Sequence, residues 1–259
     1  MRGRLITLIA FGLRHLLGAR KVIIAALLAM VPATLALVVR TFAPPGAIDS
    51  FLRQGLPSVL MAICGLMSLF TGSGCVRDLV EERTLPLLLT RPIARARLCS
   101  GLLLAALIAS VVFAVVATGS AYAVASAGDV LVSRVPSPWR LMFTMGVLAA
   151  LHTLLFAVVG LQFRRSTIVS VVLLGILDAG IGSAPGPLRR IAPTAIAEGL
   201  LGEEWTTRTS QLSPRELFEF SEQAALVMLV AEILMLSVWF RRRARRMDFL
   251  SAEVSSSGN

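Results

Sequence analysis

The sequence predicts an all-α, polytopic membrane protein. It has six transmembrane helices, an N-terminal interfacial helix and short extracytoplasmic helices before the last span. Three observations carry this. The 259-residue chain is 56% hydrophobic and 15% charged, where soluble domains are about 25% charged. Its apolar residues are gathered into long runs. Val22–Val39, Gln54–Val76, Leu98–Gly128 and Leu141–Phe163 hold no charged residue, while Ser166–Leu188 and Gln223–Phe240 hold only Asp178 and Glu232. A hydrocarbon core about 30 Å thick takes about 20 helical residues, so each run can cross it. Finally, 17 of the 25 Lys and Arg fall in segments 1–21, 75–97, 162–166 and 241–259, which share one side when six spans alternate. The positive-inside rule puts that side, and with it both termini, in the cytoplasm.

Taken in order, residues 1–20 fit an amphipathic elbow helix. Arg4, Thr7, Arg14, His15 and Gly18 fall on one stripe, with Phe11 the lone apolar residue among them, and leucines and isoleucines cover the rest. Such a helix lies in the membrane interface. Arg14 interrupts the apolar stretch that a cleavable signal would need. The spans are expected at about 22–40, 54–76, 98–127, 141–163, 166–184 and 222–240, in a single transmembrane domain covering 1–246. Outside loops broken by Pro44, Pro45 and Gly46, and by Gly128, Pro136 and Pro138, join the first pairs, with Trp139 as an interfacial anchor. The extracytoplasmic segment 185–221 is expected to be helical. Pro193 opens a helix that ends at Gly202, and the capping box SPRE at 213–216 starts another that runs into the last span. Arg241–Arg246, the run RRRARR, suits anionic headgroups rather than nucleic acid. Residues 247–259 are polar and are expected to be a disordered tail. Cys64, Cys75 and Cys99 lack a metal-binding spacing and are expected as reduced thiols.

The loop 79–95 interrupts this greasy chain with charge. In EERTLPLLLTRPIARARL, Thr84 is an N-cap, Pro86 is tolerated in a first turn and Pro92 forbids continuation. That leaves a two-turn helix with Leu85, Leu88 and Leu89 on one face. The face can lie against lipid or against a partner protein. A phosphate-cradling loop of the pattern G-x-x-x-x-G-K-[ST] is absent, because Lys21 is the only Lys and Val22 follows it. An ATP engine, if one drives this chain, sits on another polypeptide.

These residues resemble the signature of ATP-binding-cassette (ABC) transporter permeases of the type-2 exporter family. Glu82, Thr84-Leu85, Leu88-Leu89 and Arg91-Pro92-Ile93-Ala94-Arg95 match its pattern of an acid, Thr-Leu, a leucine cluster and R-P-[IV]-x-R after the second span. The span count, the N-terminal helix and the helical segment before the last span extend the likeness over nearly the whole chain. Arg83 stands where the family commonly has Gly. The resemblance implies that Glu82, Thr84, Leu85, Leu88, Leu89, Arg91 and Arg95 contact a cytoplasmic ATPase subunit as a coupling helix. It further implies two ATPase copies carrying ATP and Mg, no cofactor on this chain, and a second permease, identical or homologous. The place would be a bacterial cytoplasmic (inner) membrane, a source that the Arg-rich composition also suits.

Asp178 and Glu232 lie mid-span, where a charge costs about 3 kcal/mol. Each is expected to face the protein interior, either in a translocation pathway or in an interhelical clamp with His152. No Ser-His or Cys-His pair, no HExxH motif and no carboxylate cluster appears at a useful spacing, so no catalytic or metal residue is assigned. The expected function is that of a permease subunit, not an enzyme. The competing readings are a subunit that transmits ATP-driven work to an extracytoplasmic partner without transport, and a secondary transporter.

Overall fold

The computed structural model describes residues 2–16, 18–44, 50–81, 95–127, 137–163, 165–182, 187–202, 205 and 221–246. Among these residues every regular element is a helix. Helix α1 covers Arg2–Leu16, α2 Ala19–Phe42, and α3 Leu56–Glu81 after a π-helical turn at Phe51–Gly55. Then come α4 (Arg95–Ser126), α5 (Pro138–Gln162) and α6 (Ser166–Leu174), which continues as a π-helix through Gly175–Ile181. A 3₁₀ turn at Pro187–Ile191, α7 (Pro193–Leu201) and α8 (Glu222–Arg246) complete the fold. Five helices, α2, α3, α4, α5 and α8, are long and apolar enough to cross a membrane. The molecule is therefore a multi-span helical bundle of the kind found in polytopic membrane transporters.

The segment expected as the fifth span differs. Its α-helical part has 9 residues and its π-helical part 7, short of the roughly 20 that a hydrocarbon core takes. The apolar run is long, but the helix ends at Gly182. There a Cβ would stand 2.5 Å from the Asp178 carbonyl oxygen and 2.8 Å from Thr194 Oγ1. Only glycine tolerates that approach.

Helices α3 and α5 form the centre and run parallel. Leu56, Leu60 and Cys64 meet Leu141, Met145 and Leu148 in one apolar cluster. Further along, small residues let the backbones touch: a Cβ on Gly72 would sit 2.7 Å from the Thr153 carbonyl oxygen, and one on Gly160 2.7 Å from that of Ser73. Ser68 Oγ donates to the Ala149 carbonyl at 3.0 Å across this seam. Helix α4 runs antiparallel to α5, and Thr153 Oγ1 donates to Ser110 Oγ at 2.8 Å between them.

Ion pairs and hydrogen bonds mark the two ends of the bundle. At one end Lys21, at the start of α2, pairs with Asp78, near the end of α3. Helix α1 is at this end too, laid on the first turns of α4 through Leu8 against Gly101 and Gly12 against Ala105. Leu8 and Leu16 are buried by the contact, while Ile6 and Arg14 stay exposed. At the other end Arg40 Nη1 donates to the Val124 carbonyl at 3.1 Å. Arg140 Nε donates there to the Leu200 carbonyl at 3.0 Å, and Nη2 lies 2.9 Å from Glu222 Oε2.

Helix α7 has the bounds that its Pro and Gly dictate. Pro193 occupies its first position, and Gly202 ends it at φ 69°, the left-handed region that glycine enters without a Cβ penalty. The last helix corrects an expectation. Ser221 is not helical, and its Oγ accepts the Ala224 N–H at 3.3 Å, so a helix begun at 213–216 does not run unbroken into the span. Ser221 supplies a fresh N-cap instead. The SPRE box itself lies outside the described residues.

Candidate functional site

Residues Glu82, Thr84, Leu85, Leu88, Leu89 and Arg91 lie outside the described residues. Arg95 opens α4, and its backbone alone is described. What the structure does fix is where that loop is anchored. It leaves α3 at Glu81 and enters α4 at Arg95, at the end of the bundle that holds α1 and the Lys21–Asp78 pair.

The mid-span polar residues divide into a pair and a single. His152, on α5, is 1% exposed, and Asp178, in the π-helix, 17%. His152 Nε2 stands 3.0 Å from Asp178 Oδ2. Its N–H direction is off the line to the oxygen, and neither ring nitrogen has an aligned hydrogen-bond partner. The two groups are therefore in close polar contact without a well-formed hydrogen bond. Phe156 stacks on the imidazole one turn along, ring centroids 5.7 Å apart, and fixes its plane. The other carboxylate oxygen, Oδ1, accepts from Thr194 Oγ1 at 3.4 Å, at the start of α7.

The π-helical turn explains why Asp178 reaches these partners. A π-helix inserts a residue into the helical repeat, and such insertions are frequent at functional sites. It ends where the Gly182 N–H donates to the Leu177 carbonyl at 2.7 Å. Arg189 then holds the turn from outside. Its Nε donates to the Gly182 carbonyl at 3.0 Å, and its guanidinium pairs with Glu198 of α7. One carboxylate thus joins three elements: its own π-helix, α5 through His152, and α7 through Thr194.

Two further residues belong to this face and were not singled out from sequence. Ser166 and Ser170 are 3% and 0% exposed on α6. With Leu174 and Asp178 they recur every four residues along one line. Leu174 and Asp178 both approach Gly65 of α3, so the line faces the bundle interior. Ser170 Oγ is buried without a hydrogen-bond partner among the described residues. The fourfold spacing was the available signal.

Glu232 stands apart from the His152–Asp178 pair. It is half-buried on α8, beside the stripe Ala225, Leu229, Leu236 and Phe240 that packs into the largest apolar cluster. Among the described residues it makes no hydrogen bond or ion pair. Cys64, Cys75 and Cys99 are free and buried.

Chemically, a buried imidazole beside a carboxylate can hold or pass a proton, or bind a polar group that replaces either partner. Among the described residues no group of three His, Cys, Asp or Glu is arranged for a metal ion. Compared with known proteins, the chain matches no family model, and no curated protein matches it.

Proposed function

We propose that this chain is the membrane subunit of an ATP-driven ABC transporter of the type-2 exporter class. A separate cytoplasmic ATPase, in two copies, would bind ATP and Mg, and a second permease would complete the pathway. The observation that carries the reading is the block EERTLPLLLTRPIARARL at the joint between α3 and α4. Force applied to a short leucine-faced helix there acts on two long helices at once. One of them, α3, packs along α5 and against Asp178 through Gly65. Closure of the ATPases would in this way tilt α3 and alter the His152–Asp178 contact that lines the path. The fifth of the six spans would be the α6 segment, with its π-helix as the deformable part. Both termini would be cytoplasmic, in a bacterial inner membrane.

The experiment is co-purification with a candidate cytoplasmic ATPase subunit, followed by coupled turnover in proteoliposomes. Leu88→Asp places a charge in the leucine face, where it would lose the apolar contact and stay desolvated. It is expected to dissociate the complex or to uncouple ATP hydrolysis from movement of the substrate. Intact co-purification with coupled turnover would sink the assignment.

A second reading rests on the packed outer segment. Helix α7 is bolted to α5 and α8 by Arg140 and to the π-helix turn by Arg189. A lever built that way suits a subunit that works on an extracytoplasmic partner. A copurifying partner together with ATPase activity, but without transport, would favour it. Function that survives deletion of the ATPase would point to secondary transport.

A further inference from the structure

A cavity of about 140 Å³ opens at the α1 end of the bundle, between α2, α3 and α4. Its polarity is graded. Lys21 and Asp78 stand at one end of its lining, and Leu28, Met67 and Phe113 lie further inward. Leu28 is roughly 10 Å further along α2 than Lys21, and Met67 roughly 16 Å from Asp78 along α3, at about 1.5 Å per residue. Ile24 and Phe70 flank the opening and are 48% and 53% exposed. The cavity therefore opens sideways, toward the medium that surrounds an apolar bundle.

This shape takes an amphiphile: a charged head at the helix ends and a chain running inward between helices. The head is constrained by the ion pair. Lys21 and Asp78 neutralise one another, so a head of single charge meets one partner favourably and is repelled by the other. A head carrying both charges matches both. The carboxylate of Asp78 is best met by an ammonium that still has N–H donors, which ethanolamine has and choline lacks. The phosphate falls to Lys21, with Arg20 and Arg77 adjacent in sequence.

We infer that this cavity binds a phospholipid whose head carries a phosphate and a primary ammonium, the phosphatidylethanolamine type. Its ammonium lies on Asp78, its phosphate on Lys21, and its upper acyl chain between Leu28 and Phe113. The assignment is independent of any ATPase partner.

The test uses the full chain in phosphatidylcholine nanodiscs doped with a phosphatidylethanolamine that carries a diazirine on its upper acyl chain. After illumination, labelled peptides are mapped by mass spectrometry. Label is expected on the cavity-lining faces of α2 and α3. It should exceed that from the matched choline probe by about 10-fold, the size of a charge-assisted hydrogen bond. Asp78→Asn keeps the side-chain shape and should bring the two probes to parity. Ala25→Trp fills the cavity while keeping both partners of the ion pair. It should remove the α2 and α3 label while the label on the exposed face of α8 persists, which reports that the protein is folded. Equal labelling by ethanolamine, choline and glycerol heads would identify ordinary surrounding lipid and overturn the assignment. Stronger labelling by the anionic glycerol head would do the same, as would a signal indifferent to Ala25→Trp.

Discussion

A single added methyl group separates the interfaces that need glycine from those that merely contain it. At Gly72 and Gly160 the new Cβ would lie 2.7 Å from a backbone carbonyl oxygen of the facing helix. Ordinary contact begins near 3.4 Å, and a main-chain atom cannot swing aside as a flexible side chain can. Helices α3 and α5 would have to part by about 0.7 Å, and overpacking of this kind costs about 1–3 kcal/mol. At Gly175 a Cβ meets nothing within 4 Å, and Ala there restricts the unfolded chain, which is worth about 0.4–1 kcal/mol in favour of the fold. The same chemical change is thus expected to have opposite signs. Gly72→Ala and Gly160→Ala should each lower the unfolding midpoint in mixed micelles, while Gly175→Ala leaves it unchanged or raises it. The double variant Gly72→Ala/Gly160→Ala should fall short of the sum, because both insertions open one seam. Thr153 follows His152 directly, so the displaced α5 should also weaken the polar pair and reduce activity more than stability alone explains. Equal losses at all three glycines would refute the close-packed seam.

Other expectations follow from the polar contacts. A double-mutant cycle of His152→Ala and Asp178→Asn should give a coupling of about 0.6–1.7 kcal/mol, the range of interhelical polar contacts in membranes. Zero coupling would remove the clamp, and full transport by Asp178→Asn would remove a charge-dependent role. Arg140→Ala takes away the bond to Leu200 and the pair with Glu222. It should raise hydrogen exchange in 193–201 by more than an order of magnitude, with bonds to a charged group worth about 1.5–3 kcal/mol; unchanged exchange there would show that α7 is held by its apolar face alone. Glu232→Gln should leave stability within about 0.5 kcal/mol, since no described partner is lost. A larger fall would reveal a partner for Glu232, and a loss of transport at unchanged stability would put it in the pathway.

The spanning helices could be read from sequence because run length and charge alone decide what a bilayer accepts. The α7 boundaries were equally accessible, since Pro193 and Gly202 act through local geometry. The shortening of the fifth apolar segment was not. Counting apolar residues ignores the close approach at Gly182, where Thr194 of α7 comes within 2.8 Å of the place a Cβ would take. Asp178, Glu232 and His152 all stood out as polar residues in apolar runs. Which two would meet depended on helix packing that periodicity does not encode: α6 lies against α3 and α5, whereas Glu232 lies on α8 beside a leucine seam. Ser166 and Ser170 were hidden for the opposite reason. Serine is common in spanning helices, and only its four-residue spacing to Asp178 gave it direction.

Lys21 is the only lysine in the sequence, and it is spent on one contact, with Asp78. The chain therefore has a single side-chain amine. Amine-directed acylation reads the state of that one contact, without the background that a lysine-rich surface would add. Engaged with Asp78, the Lys21 nitrogen is held against α3; released, it is free to meet the reagent. Any motion that slides α2 against α3, whether driven by a partner or by a bound amphiphile, becomes visible as a change in the labelling rate of one residue.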